Sequence, residues 1–91
     1  MQYIKVNWVH SNSEYPTSLY SELDDSRMET RKIEIWSDGK IGFSDSSEST
    51  ASTKLGEAAV PPISEISKDP QFQPIEISKD QFEEVWAKRK G

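Results

Sequence analysis

From Tyr3 to His10 apolar and polar residues alternate, and Ile4, Val6 and Trp8 fall on one side of an extended chain. Side chains of a strand repeat every two residues, so this stretch predicts a half-buried first strand. Ser11-Asn12-Ser13 and Tyr15-Pro16 interrupt it as a turn or loop. A second strand is expected over Ser18 to Leu23, with Leu19 and Leu23 on one face. A third is expected over Glu29 to Trp36, with Ile33 and Ile35 turned to the core. Asp38-Gly39 lies between Glu34-Ile35-Trp36 and Lys40-Ile41-Gly42-Phe43. An Asp-Gly pair tolerates the positive φ of a tight turn, so these runs predict a hairpin.

The alternation then lapses. Residues 44–53 contain no large apolar side chain. Such a stretch cannot bury enough surface to offset its ordering entropy, and 44–60 is expected to be a mobile loop. Pro61-Pro62 closes it and suits the start of a helical turn at Ile63–Ile66. A longer helix follows Ser78, the expected N-cap, with Gln81 completing a capping box and Ile77 placed to staple onto Phe82. Phe82, Val85, Trp86 and Arg89 share one helical face, and Lys88, Arg89 and Lys90 stand at the end where the helix dipole favours cations. A helix this short is marginal alone and must dock on the sheet. The pentapeptide Glu65-Ile66-Ser67-Lys68-Asp69 recurs as Glu76-Ile77-Ser78-Lys79-Asp80. It reads as a reused helix-start phrase in preference to a duplicated binding element. The expected architecture is α+β, one domain over 1–91, with an antiparallel sheet of about four strands and a C-terminal helix packed on one face.

Composition narrows the class. Apolar residues make up 33% of the chain, so three Trp, three Tyr and three Phe must carry a thin core. There is no cysteine, which excludes disulfides, thiolate metal sites and a cysteine nucleophile, and points to the cytoplasm. The first residues lack a basic region followed by an apolar run, so no signal peptide or membrane span is expected. Net charge is −5, and the excess sits in residues 14–48, with nine acids against four bases. An acidic surface repels nucleic acid and attracts basic partners, although it also serves plain solubility.

No catalytic arrangement stands out. His10 is the sole histidine, usually a structural residue in such a place. Glu22, Asp24 and Asp25 lack the spacing and glycine of a calcium loop. Asp38-Gly39-Lys40 is a turn with no phosphate-cradling loop around it. Glu83 and Glu84 are adjacent on a helix and point apart. The chain is expected to be no enzyme, with no cofactor and no metal. Trp8 and Trp86 fall in with core positions. Trp36 lies opposite Ile33 and Ile35, and Tyr20 shares its side with Glu22, so both are candidate contact residues in a charged field. The candidate partner-binding set is Tyr20, Glu22, Asp24, Asp25, Glu34, Trp36 and Asp38.

Together, Tyr3-Ile4-Lys5-Val6 with Trp8 and His10, Leu19-Tyr20-Ser21-Glu22-Leu23-Asp24, Arg31-Lys32-Ile33-Glu34-Ile35-Trp36, Asp38-Gly39-Lys40-Ile41-Gly42, and Ile77-Ser78-Lys79 with Phe82-Glu83 and Val85-Trp86 resemble a family of roughly 90-residue bacterial proteins of unassigned function. Members of such families often look like immunity proteins encoded beside polymorphic or contact-dependent inhibition toxins. The resemblance implies a binding protein that neutralises a cognate toxin, a basic nuclease above all, as a monomer or weak dimer, with no direct contact to nucleic acid or membrane. The rivals are an adaptor unrelated to toxins and a small enzyme or ligand-binding domain using His10. A pocket with Glu22 or Glu34 beside His10 would favour the last.

Overall fold

The computed structural model describes residues 1–50 and 53–90. Its elements are β1 (Gln2–Trp8), β2 (Ser18–Leu23), β3 (Glu29–Ile35), β4 (Ile41–Ser44), α1 (Ile63–Ile66), β5 (Phe72–Ile77) and α2 (Lys79–Ala87). The strands form one sheet in the order β4-β3-β2-β1-β5, with every neighbouring pair antiparallel. The class is α+β with a C-terminal helix, as expected, but the sheet has five strands where about four were expected. The extra strand is β5, which adds to the free side of β1 with Tyr3 opposite Ile77 and Trp8 opposite Phe72. Pro74 argues against a strand in the sheet interior, but β5 is an edge, where proline is tolerated.

The register sorts the apolar residues into two layers. Tyr3, Ile33, Phe43 and Phe82 form one buried cluster, with Ile77, Val85 and Trp86 packed around it; this is the helix face. Ile4, Val6 and Leu23 form a second cluster on the back face, covered by Val60, Ile63, Ile66 and Phe72. Ile4 and Val6 therefore lie in a different layer from Ile33, and a short chain covers both sides of its sheet.

Local signals set the ends of the elements. Gly39 takes φ +90°, its N–H donates to Trp36 O at 2.9 Å, and Trp36 N donates to Lys40 O at 3.0 Å, closing the hairpin. Gln81 N donates to Ser78 Oγ at 3.1 Å while Ser78 N donates to Gln81 Oε1 at 2.8 Å, so the capping box is present in both directions. Phe82 is fully buried and its ring stacks on Trp86. The repeated pentapeptide has two fates. Glu65 and Ile66 end α1, with Ser67 as its C-cap, whereas Glu76 and Ile77 end β5, with Ser78 as the N-cap of α2. Only the second copy starts a helix.

Of the expected mobile loop 44–60, residues 51 and 52 lie outside the described residues. In the described part, Asp45 Oδ1 accepts from Ser47 N and Glu48 N, both at 2.8 Å, and Thr50 N donates to Phe43 O at 2.9 Å. The two backbone donors hold the Asp45 carboxyl below its usual range. Thr53 is fully buried, and a side chain on Gly42 would collide with its Oγ1. The segment packs on β4 through polar residues, which hydropathy does not reveal.

Four substitutions test this description by urea unfolding. Ser78→Ala should cost about 1 kcal/mol through loss of the cap. Phe82→Ala should cost roughly 3–5 kcal/mol, and an unchanged midpoint would remove the docked helix. Gly42→Ala should cost roughly 1–3 kcal/mol by overpacking, and adding Thr53→Ala should restore part of it. If the second substitution restores nothing, the Gly42–Thr53 contact is not the cause.

Candidate functional site

Glu22 on β2 and Arg31 on β3 are paired across the sheet. Arg31 Nε donates to Glu22 Oε1 at 2.9 Å and its Nη2 to Glu22 Oε2 at 2.7 Å, a two-pronged bond. The same Nη2 makes an ion pair with Glu83 of α2 at 2.6 Å. The guanidinium carbon lies 4.9 Å from the Phe82 ring centre and 5.0 Å from that of Trp86, close enough for cation–π attraction. The register slips between Glu22 and Leu23, so Thr30 is an extra residue in β3, a bulge. Its hydroxyl reaches Glu22 Oε1 at 2.8 Å.

These contacts set the charge states. The Arg31 hydrogen bonds, helped by Thr30 and opposed by burial, pull the Glu22 carboxyl down from an ordinary 4.5 to about 2. Glu22 and then Glu83 push Arg31 up. Burial, with the neighbouring Glu22 carboxylate, raises Tyr3. Glu22 is thus a buried, saturated anion that holds the fold and offers no free oxygen to a partner.

The other candidates are spread over the molecule. Tyr20 lies on the helix face, with Lys5 Nζ 5.6 Å from its ring centre. Asp24 Oδ1 accepts from Ser26 N at 2.9 Å and Met28 N at 3.0 Å, shaping the β2–β3 turn in which Arg27 takes φ 62°. Asp25 is exposed in that turn. Asp38 stands at the opposite end of β3, 3.8 Å from Lys40 Nζ. Trp36 is half-buried, donates from Nε1 to Glu14 O at 3.1 Å, and borders a shallow hollow with Ser13, Asp38 and Lys40. Glu34 alternates with Ile33 and faces the back. Tyr20 and Glu22 share one face, and the seven together form no single surface.

His10 is used structurally. Nε2 is placed to donate to Pro16 O at 2.8 Å, and Nδ1 accepts from Asn12 N at 3.0 Å. Its ring packs edge-on against Trp8. Its partners are main-chain groups, not carboxylates. Among the described residues, no group of three or more His, Cys, Asp or Glu could hold a metal ion, and no helix is long and apolar enough to cross a membrane.

The back face holds what the sequence did not announce, a recess of about 390 Å³. Ile4, Val6, Leu19 and Phe72 line it from the sheet, and Val60 and Ile66 from the segment across it. Glu29, Lys32, Glu65 and Asp69 supply its charged groups. The bulge at Thr30 brings Glu29 and Lys32 to the same face, with Lys32 Nζ 3.8 Å from Glu29 Oε1. Glu29 also accepts from Ser21 Oγ at 2.7 Å and Gly56 N at 2.8 Å. Arg27 ties the covering segment down by donating to Val60 O and Pro61 O, each at 2.8 Å.

A domain-family model matches residues 2–91. The chain belongs to that family, DUF6881, a domain of unknown function. No curated protein and no solved structure matches it. In this DUF6881 domain, sequence reasoning missed Arg31 and the recess. The alternation of Arg31 with Ile33 and Ile35 was a usable signal for the first, since an arginine on a core-facing strand needs a buried anion. The recess depends on segments far apart in the chain and left only the apolar residues Val60, Ile63 and Ile66 around Pro61-Pro62 as a trace.

The depressed Glu22 carboxyl gives this DUF6881 domain a defined acid response. A carboxyl lowered by folding stabilises fully above its unfolded value and loses that contribution as pH falls through the folded one. Relative to Glu22→Gln, the wild type should gain roughly 3 kcal/mol at neutral pH, shrinking from about pH 4.5 downward until little is left at about pH 2. Denaturant melts across that range check it. Curves that stay parallel to pH 2 would show that the Arg31–Glu22 bond does not control the titration.

Proposed function

We propose that this domain is an immunity protein, which binds a cognate bacterial toxin in the cytoplasm and neutralises it without catalysis. The observation that carries this reading is an excess of carboxylate that the fold leaves uncompensated. Glu22, Glu29, Asp38, Glu48, Glu65 and Glu83 are matched to lysine or arginine within the chain. Asp25 and Glu34 make no side-chain hydrogen bond or ion pair among the described residues, and the chain as a whole carries −5. Such a surface attracts a basic protein and speeds its encounter. Against a basic nuclease it would set carboxylates where substrate phosphates lie. The resemblance described above supports the toxin in particular, and the structural use of both His10 nitrogens supports binding over catalysis.

The test is surface binding kinetics against the product of the adjacent upstream gene, at low and high salt. High salt should slow association roughly tenfold or more and change dissociation little. The double reversal Asp25→Lys, Glu34→Lys should do the same at low salt, because neither residue supports the fold. Salt-independent binding with an unaffected double variant would sink the electrostatic mechanism. Failure to bind, together with failure to protect cells that express the upstream gene, would sink the immunity role.

A further inference from the structure

An apolar recess left open beside a thin core forgoes packing that a few larger side chains could supply. The back-face recess, at about 390 Å³, lies within the range of roughly 300–1,000 Å³ typical of ligand sites. It exceeds the cavity of roughly 150 Å³ that accepts a benzene ring. It is also continuous with an exposed surface. Phe72, on its wall, packs on Trp8 at a ring separation of 5.6 Å, and Trp8 stacks on Tyr15 at 5.4 Å. Tyr15 is 48% exposed. The recess and this aromatic shelf make one apolar strip, larger than a small molecule held in the recess would cover. Tyrosine and tryptophan in such a place are typical of energetic centres in protein interfaces. Charge completes the pattern. Glu65 is shared with Lys68 at 3.4 Å, but Asp69, exposed on the recess lining, uses only Oδ1 in a bond from Gln71 N at 3.0 Å and has no ammonium or guanidinium partner among the described residues.

We infer that the recess receives a bulky apolar side chain of the basic protein partner, an aromatic or leucine-sized group with a lysine or arginine beside it. The apolar group fills the space over Val6 and Leu19, the adjacent cation meets Asp69, and the partner's surface continues over Trp8 and Tyr15. This deepens the protein-binding reading and rests on it. It assigns association to the diffuse carboxylates and residence time to one desolvated anchor.

The experiment has two arms. In the first, the kinetics with the upstream gene product are repeated with Leu19→Phe, which fills the recess, and with Tyr15→Ala on the shelf, which lies outside both buried clusters. Each should speed dissociation about tenfold or more with association within about twofold. Asp69→Lys should weaken binding roughly three- to tenfold. If both Leu19→Phe and Tyr15→Ala dissociate as the wild type does, the recess is not the anchor, and the inference falls while the immunity reading stands. The second arm needs no partner. Isotopically labelled protein is titrated with acetyl-Lys-Trp-Lys-amide, with acetyl-Glu-Trp-Glu-amide and with naphthylmethylamine, and amide shifts are followed by NMR. The basic peptide should move Val6, Leu19, Phe72 and Tyr15, and the acidic one should move them less. No shift at these residues overturns the inference even if the upstream protein binds elsewhere. Shifts confined to the recess and produced by the free amine alone overturn it in favour of a small-molecule site. If the upstream protein fails to bind and cells that express it are not protected, while the basic peptide does bind, the immunity reading falls and the recess remains.

Discussion

Arg31 joins the two parts of the molecule that its chain makes separately. Its guanidinium is gripped from below by Glu22 on the next strand and from the side by Glu83 on the helix, and it lies against the rings of Phe82 and Trp86. A half-buried arginine needs a full set of partners, and here β3 supplies the arginine while β2 and α2 supply the partners. The helix is only nine residues long and could not persist alone. Phe82 supplies its apolar grip, and the Arg31 network fixes which way it lies. Arg89 repeats the device at the far end, with its guanidinium 4.1 Å from the Trp86 ring centre.

What could be read from the sequence was what is decided within a few residues. The Asp38-Gly39 hairpin, the Ser78–Gln81 box and the single turn after Pro62 depend on local dihedral preferences and capping bonds, and all three were legible. Residues that alternate within a strand were also assigned to common faces correctly. What alternation cannot say is how the faces of different strands match, because one residue of slippage exchanges them. Ile4 and Ile33 both looked inward, yet they look inward from opposite sides. The bulge at Thr30 compounds this by putting Glu29 and Lys32, three apart, on one face. The repeated pentapeptide shows the limit plainly, since the same five residues close a helix in one place and close a strand in the other.

The candidate site divides the same way. The acid excess was legible because it is a sum, whereas the position of each acid was not. Glu22 counts toward the net charge but is spent inside the fold, and Asp24 is occupied in shaping a turn. Asp25 and Glu34 are left without a side-chain bond among the described residues, at different places on the molecule. The recess could not be foreseen, because its walls come from β1, β2, β3, the segment around Val60, α1 and β5. Its floor was visible as the apolar side of two strands, but nothing local says that the apolar residues around Pro61-Pro62 fold back over it.

The N-terminal strand lies between β2 and β5, so its two neighbours are made at very different times. As the chain leaves the ribosome, β1 to β4 can pair in sequence as each emerges. The second side of β1 waits for Phe72 to Ile77, and both layers wait for their covers, α1 late and α2 last of all. Until then Ile4, Val6 and Ile33 face solvent on a half-built sheet, the condition in which nascent chains aggregate. A message cut short before Phe72 therefore encodes no smaller version of the domain. It encodes a four-stranded sheet that lacks α2 and one of its edges.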